Sequence, residues 1–234
     1  MTAPLVLVVD DDAAIRLLLR RLIERHGLRV VEAGDARAAR AGLGIDHPDA
    51  VILDLGLPDR DGLELVPELA RQAAVIVVSA RADSDEKVAA LDLGAEDYVT
   101  KPFDGEELMA RLRGALRRRA RAATGETTIA FDDVLIDLER RRVTRGGEEI
   151  HLAPREYELL AVLARHPDKV ITHRELLRAV WGPAHEEDVA YLRVAMRALR
   201  QRLERDPARP ERLCNEPAVG YRLRVLRPTT SDER

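Results

Sequence analysis

Aromatic residues are scarce in this chain of 234 residues: two Phe, four Tyr and one Trp, 3% of the whole. Hydrophobic residues nevertheless make up 46%, so the cores must be built mostly of Leu, Val and Ala. Cysteine is nearly absent. The single thiol, Cys214, excludes a disulfide framework and any multi-cysteine zinc site, and it suits a reducing compartment. No apolar run approaches the roughly 20 residues that cross a bilayer. The opening Met-Thr-Ala-Pro lacks the basic and apolar stretches of a secretory signal. These absences predict a soluble, cytoplasmic protein with no membrane insertion.

The formal net charge of -4 hides an asymmetry. Residues 1–116 carry 14 Lys and Arg against 22 Asp and Glu, and residues 117–234 carry 24 against 20. Opposite signs in the two halves predict two domains with different partners. The first half alternates apolar runs with amphipathic segments. Strands are expected at 5–10, 29–33, 50–55, 75–80 and 97–101, and helices at 13–26, 35–44, 61–71, 83–93 and 104–121. That alternation implies a parallel sheet covered on both faces, with ligands beyond the carboxyl ends of the strands. The small and polar residues 122–126 read as a linker, and 228–234 as a polar tail.

The second half has a different rhythm. Short strands are expected at 127–131, 134–138, 141–144 and 149–152, with Gly146-Gly147 at a turn. Three helices follow. Pro154 opens the first, which ends near Arg165. Thr172 caps the second, with Glu175 completing a capping box, and Trp181-Gly182-Pro183 breaks it. The third spans Glu187 to Arg205. Strands at 211–216 and 220–225 close the chain. Sheet, three helices and a terminal hairpin is the order of a winged helix-turn-helix, over 127–227.

Chemistry gathers at the strand ends of the first half. Asp10, Asp11 and Asp12 follow the first apolar run, Asp54 follows the third, Ser79 closes the fourth, and Lys101 the fifth. Asp12 reads as the cap of the helix beginning at Ala13. Asp10, Asp11 and Asp54 offer hard oxygen ligands that suit Mg²⁺ or Mn²⁺. Asp54 could then attack a phosphoryl group and become an acyl phosphate, with Lys101 neutralising the transferring oxygens and Ser79 donating to one of them.

On Val8-Val9-Asp10-Asp11, Asp54 with Leu57-Pro58, Ser79-Ala80, and Tyr98 with Lys101-Pro102-Phe103, residues 1–121 resemble the receiver domain of two-component response regulators. The resemblance implies a doubly wound, five-stranded parallel α/β domain (flavodoxin/CheY-like). It implies that Asp54 is the phosphoacceptor and that Asp10, Asp11, Asp54 and the Gly56 carbonyl hold the metal. Ser79 and Tyr98 would form a switch in which Tyr98 rotates inward, and the Lys101–Pro102 peptide would be cis. Phosphorylation would pair two receivers across a surface bearing Lys87, Asp92, Glu96, Asp97, Glu107 and Arg111. Arg60 stands where a small glycine is common, which places a cation near the pocket rim.

The third helix of the second half sets Arg193, Arg197 and Arg200 on one face, with Arg202 and Arg205 further on. Leu192, Met196, Leu199 and Leu203 lie opposite. A row of guanidinium groups suits insertion into the DNA major groove. On Leu152-Ala153-Pro154-Arg155-Glu156-Tyr157, Thr172 to Leu177, Val180-Trp181-Gly182 and Gly220-Tyr221-Arg222, residues 127–227 resemble the effector domain of OmpR/PhoB-type transcription factors. That implies DNA contacts from Tyr191, Arg193, Arg197, Arg200 and Arg222. It also implies a cognate histidine kinase, a homodimer on tandem half-sites, and RNA polymerase as partners. Asp54-Leu55-Gly56-Leu57-Pro58-Asp59, Trp181-Gly182-Pro183, Tyr191-Leu192-Arg193 and Asp206-Pro207-Ala208-Arg209-Pro210 narrow the resemblance to the KdpE-type regulators of high-affinity potassium uptake. Ala218 stands in the wing where glycine is usual. The six histidines and Cys214 read as structural or exposed, and Trp181 as a core anchor. The reading is a transcription factor rather than an enzyme, with autodephosphorylation as its only turnover. Its rivals are a regulator of another regulon, a regulator indifferent to phosphorylation, and a stand-alone phosphohydrolase.

Overall fold

The computed structural model describes residues 3–125 and 127–225. Glu126 of the expected linker, residues 226–227 of the expected winged-helix domain and the expected tail at 228–234 lie outside the described residues. The chain divides into two compact units, Met1–Ala120 and Arg121–Arg234.

In the first unit, β1 (Leu5–Val9), β2 (Arg29–Ala33), β3 (Ala50–Leu53), β4 (Ala74–Ser79) and β5 (Asp97–Thr100) form a parallel sheet in the order β2-β1-β3-β4-β5. Between and after them run α1 (Ala13–Arg25), α2 (Ala36–Asp46), α3 (Val66–Ala70), α4 (Ser84–Asp92) and α5 (Gly105–Thr124). β1, β3 and β4 are buried along their whole length, which is why they are unbroken apolar runs. In register, Val8 lies beside Ile52, Ile52 beside Ile76, and Val78 beside Val99. These side chains pack with Leu19 and Ile23 of α1 and with Leu108 and Leu112 of α5. Strand alternation turns Leu7 the other way, against Gly42 of α2. The order reverses between β1 and β3, so Asp10 and Asp54 leave neighbouring strands at the crevice where such sheets bind ligands.

Much of the acid excess of this unit serves helix starts, where carboxylates meet unpaired N–H groups and the positive end of the dipole. Asp12, Asp35 and Asp83 cap α1, α2 and α4 through Ala14, Ala38 and Asp85. Asp59 reaches across from the β3–α3 loop and accepts from Ala36 and Arg37 at 2.9 and 3.1 Å. The expected helix over 61–71 is a 3-10 turn, Gly62–Leu65, followed by α3. Gly62 is pressed onto the strand end: a Cβ there would lie 2.4 Å from the Asp54 carbonyl oxygen. α5 continues three residues past its expected end at 121, through the good helix formers Ala122 and Ala123. Gly125, at φ 65°, follows it.

The second unit opens with an antiparallel sheet of β6 (Thr128–Phe131), β7 (Val134–Asp137), β8 (Arg142–Arg145) and β9 (Glu148–Glu149). β9 is shorter than expected, and Ile150 to Leu152 lead into α6 (Pro154–Arg165). Then come β10 (Val170–Thr172), α7 (His173–Trp181), α8 (Val189–Leu203), β11 (Leu213–Glu216) and β12 (Gly220–Leu223). β10 was not foreseen. It pairs with β12, which pairs with β11, making a second sheet, β10-β12-β11. Gly220 permits this pairing, because a Cβ there would lie 1.9 Å from the Ile171 carbonyl oxygen. Thr172 caps α7 through the Glu175 N–H at 3.1 Å, as its sequence signature implies. A 3-10 turn at Pro183–His185 delays the start of α8 to Val189.

The core of this unit joins Leu159, Leu160 and Leu163 of α6, Leu176 and Leu177 of α7, and Leu192, Met196 and Leu199 of α8. Arginines fasten its periphery to backbone carbonyls. Arg145 donates to Arg202 at 3.0 Å, Arg202 to His151 at 2.7 Å, and Arg155 to Val180. Arg212 is only 4% exposed and pairs with Asp132 at 2.6 Å. The Glu204 carboxylate accepts the N–H groups of Glu211, Arg212 and Leu213, which closes the path from α8 to β11.

The turn between β11 and β12 places Ala218 at φ 60°, a left-handed conformation that favours glycine. That geometry costs alanine roughly 1–2 kcal/mol, and a more flexible glycine returns roughly 0.4–1 kcal/mol to the unfolded chain. Ala218→Gly is therefore expected to stabilise the protein by about 0.5–1 kcal/mol, seen as a higher urea midpoint at unchanged slope. A lower midpoint would contradict the strain assigned to this turn.

Candidate functional site

Oxygen atoms of Asp10, Asp11 and Asp54 lie within 4.8 Å of one another. Asp10 and Asp54 are buried, and Asp11 is exposed at the mouth. Such crowding of carboxylates needs positive charge. Lys101 follows β5 and brings its Nζ to 2.7 Å from Asp10 Oδ2 and 2.9 Å from Asp54 Oδ2. It is one of only three lysines in a chain whose other 35 basic residues are arginine. Burial alone would lower its pKa, but the bonds and attraction to both carboxylates outweigh that and hold it above the usual lysine value. The Lys101–Pro102 peptide is cis, as the resemblance implied.

The other carboxylate oxygens of Asp10 and Asp54 are also committed. Asp10 Oδ1 accepts the Asp12 N–H at 2.9 Å, and Asp54 Oδ1 accepts the Leu55 N–H at 2.8 Å. Asp12 turns away to cap α1. The acid-rich turn has a second support that sequence reasoning missed. Arg16 donates through one nitrogen to the Asp10 and Asp11 carbonyls at 2.7 and 3.0 Å, and its Nε faces Glu32 at 3.4 Å. Nothing in local periodicity signals a guanidinium reaching back five and six residues.

Ser79 is buried at the end of β4 and accepts from the Arg81 N–H at 3.3 Å. Tyr98 is already buried in β5, at 3% exposure, with its hydroxyl donating to the Arg81 carbonyl at 2.7 Å. Burial pushes its pKa up, against the opposing effect of a Ser79 hydrogen bond. Gly56, exposed, bridges to Asp61 across the loop after Asp54. Arg60 pairs with Glu64 at 3.2 Å along its own turn and is not committed to the carboxylates.

The residues expected at a dimer surface fall into two groups. Asp92 and Glu107 are exposed, and Lys87 is partly so. Asp97 is not the displayed charge the sequence suggested. It is 1% exposed and takes Arg111 at 2.7 Å, while Arg111 also holds Glu107 at 2.5 Å. Burial would lower the Arg111 pKa, but Asp97 and Glu107 raise it overall. Glu96 pairs with Arg118 at 2.8 Å. These pairs tie β5 and the segment before it to α5.

In the second unit, α8 buries Leu192, Met196, Leu199 and Leu203 and exposes Tyr191, Arg193, Val194 and Arg197. Arg193 and Arg197 make no ion pair among the described residues. Tyr191 is 51% exposed and stacks on Trp181, with ring centroids 6.5 Å apart. Two of the residues expected at DNA have partners within this unit. Arg200 shares the helix face, but its guanidinium binds the Leu213 carbonyl at 2.7 and 3.0 Å and lies over the Tyr221 ring. Arg222 is 7% exposed and binds Glu216 at 3.0 Å and the Asp168 carbonyl at 3.1 Å. Both arginines hold the hairpin rather than stand out from it. A cleft of about 690 Å³ separates α8 from that hairpin, lined by His173, Arg193, Arg197, Arg200, Asn215 and Tyr221 among others.

Comparison with known proteins joins these two sites to a family. Residues 6–113 match the response regulator receiver domain, and residues 147–223 match the C-terminal domain of transcriptional regulatory proteins. The chain is 48% identical over 220 residues to the KDP operon transcriptional regulatory protein KdpE of Escherichia coli, covering 93% of this chain and 98% of that relative. It is 45% identical over 222 residues to the transcriptional regulatory protein KdpE of Mycobacterium tuberculosis, covering 94% and 98%. Among solved structures, a signal receiver domain from Vibrio parahaemolyticus matches with a TM-score of 0.51 at 25% identity, covering 53% of this chain and 98% of its own. Pocket, basic helix and both matches agree: the chain belongs to the two-component response regulators of the OmpR/PhoB type, DNA-binding transcription regulators controlled by phosphorylation.

Proposed function

We propose that Asp54 is the phosphoacceptor and that the regulator controls a potassium-uptake operon. The observation that carries the first part is the placement of Lys101 within 2.9 Å of both Asp10 and Asp54. The Asp54 Oδ2 atom is the nucleophile: it forms a bond to the phosphorus of a phosphohistidine on the cognate kinase while the imidazole nitrogen leaves. Lys101 then faces a phosphoryl oxygen in place of a carboxylate. Asp10, Asp11, Asp54 and the Gly56 carbonyl would hold Mg²⁺ or Mn²⁺, because three hard oxygen donors lie within 4.8 Å of one another. The bound metal would neutralise charge on the phosphoryl oxygens. Slow hydrolysis of the acyl phosphate by water resets Asp54.

The added charge of about −1.5 to −2 is the signal. Ser79 turns its hydroxyl to a phosphoryl oxygen and releases the Arg81 N–H. Arg81 in turn holds Asp61 and the Tyr98 hydroxyl, so the α4–β5 surface responds. Lys87, Asp92 and Glu107 are the more accessible charges offered to a second receiver, while Asp97–Arg111 and Glu96–Arg118 brace the surface beneath them. Two copies then set α8 into tandem half-sites about one helical turn apart and engage RNA polymerase in the cytoplasm. The KdpE relatives, at 45–48% identity over nearly the whole chain, support the potassium operon as the target.

Asp54→Asn is expected to abolish hydroxylamine-labile labelling from a radiolabelled small phosphodonor. Retained label would move the phosphoacceptor elsewhere. Arg193→Ala and Arg197→Ala should each weaken operator binding by about 1–3 kcal/mol if they read bases, measured at fixed salt. Unchanged affinity for both would exclude this helix face. Genome-wide mapping of bound DNA should place the strongest site upstream of a potassium-uptake operon; strong sites only elsewhere would assign another regulon.

A further inference from the structure

The cleft between α8 and the β11–β12 hairpin contains one titratable group with no part in the reading above. His173 is the first residue of α7, and its N–H donates to the Val219 carbonyl at 2.9 Å. The half-buried imidazole stands edge-on to the Tyr221 ring, 5.5 Å between centroids. Arg193 and Arg197 face the same cleft from α8, and Arg200 lies over Tyr221. On its own helix, Arg174 points to Glu186 at 2.8 Å, and the Glu175 N–H is held by Thr172. Among the described residues, no Asp or Glu lines the cleft. Burial and then the Arg193 charge hold the imidazole below the usual histidine value, so it is neutral in the free protein near pH 7.

A cleft walled by arginine and free of carboxylates suits an anion, and on a DNA-binding face that anion is a backbone phosphate. The geometry points to His173 as a proton-linked phosphate ligand: it takes a proton from solvent as the phosphate enters the cleft and donates its N–H to a phosphate oxygen. The inference rests on the assignment of α8 as the DNA-binding helix. Its sign follows from linkage. The phosphate stabilises the imidazolium, so the bound form holds more proton than the free form. DNA affinity therefore rises as pH falls through the bound-state pKa and levels off below the free-state one.

The test titrates the full-length protein against a labelled random-sequence DNA duplex at fixed salt, between about pH 8 and pH 6. The wild type should tighten by about three- to tenfold, equivalent to a rise of up to about one pKa unit on binding. His173→Gln should match the wild type at the alkaline end and lose the tightening. At the acid end, the salt dependence of the wild type should be steeper than that of His173→Gln by about 0.9 in the logarithmic slope, one phosphate contact. His173→Arg, charged throughout, should bind tightly at both ends. Equal pH dependence in the wild type and His173→Gln, or a tightening that persists in His173→Arg, would remove His173 from the interface. A wild type that binds the duplex at no pH would instead overturn the DNA-binding face itself.

Discussion

Carboxylates crowded at the end of β1 and β3 are the constraint to which the first unit answers. Parallel pairing of these two strands brings Asp10 beside Asp54. Their repulsion is met from two sides. Lys101 bridges the carboxylates themselves, and Arg16 draws the Asp10 and Asp11 carbonyls together from below. Lys101 can do the first because it follows the last strand of the sheet, and Gly62 lets the loop after Asp54 close over the strand end. The acid site is thus balanced yet not fully neutral: three carboxylates share one close ammonium, which leaves the pocket ready for a further cation.

The second unit depends on a different economy. Its core joins Leu and Met of three helices to Ile129, Phe131, Ile136, Ile171 and Tyr221 of the strands, and its edges are fastened by guanidinium groups on backbone carbonyls. A planar fork suits this use, because it can serve two acceptors at once and never loses its charge. The same residue type therefore does two jobs on one helix. Arg193 and Arg197 stand out to solvent, whereas Arg200, one turn on, closes the hairpin.

That division marks the limit of what was legible in the sequence. Strand runs, helix faces and the Asp10, Asp54, Ser79 and Lys101 positions at strand ends were readable, because burial on both faces and the strand-end rule leave a local signature. Asp12 as a cap and Thr172 with Glu175 were readable for the same reason. β10 was not, since two residues between Lys169 and the Thr172 N-cap carry no period, and only pairing with β12 makes them a strand. Spacing put Arg200 on the correct face but could not say that Leu213 lies opposite it. Arg222 and Asp97 looked like displayed charges until partners distant in sequence, Asp168 and Arg111, buried them. Arg16 and Asp59 were missed because they act on the backbone of other segments, a relation that composition does not encode.

The preference for guanidinium over ammonium has a chemical consequence of its own. Only Lys87, Lys101 and Lys169 carry an amine side chain, and Lys101 is enclosed by two carboxylates. Reagents or enzymes that acylate side-chain amines would reach almost none of this molecule's positive charge, leaving its fastenings and its exposed helix face untouched.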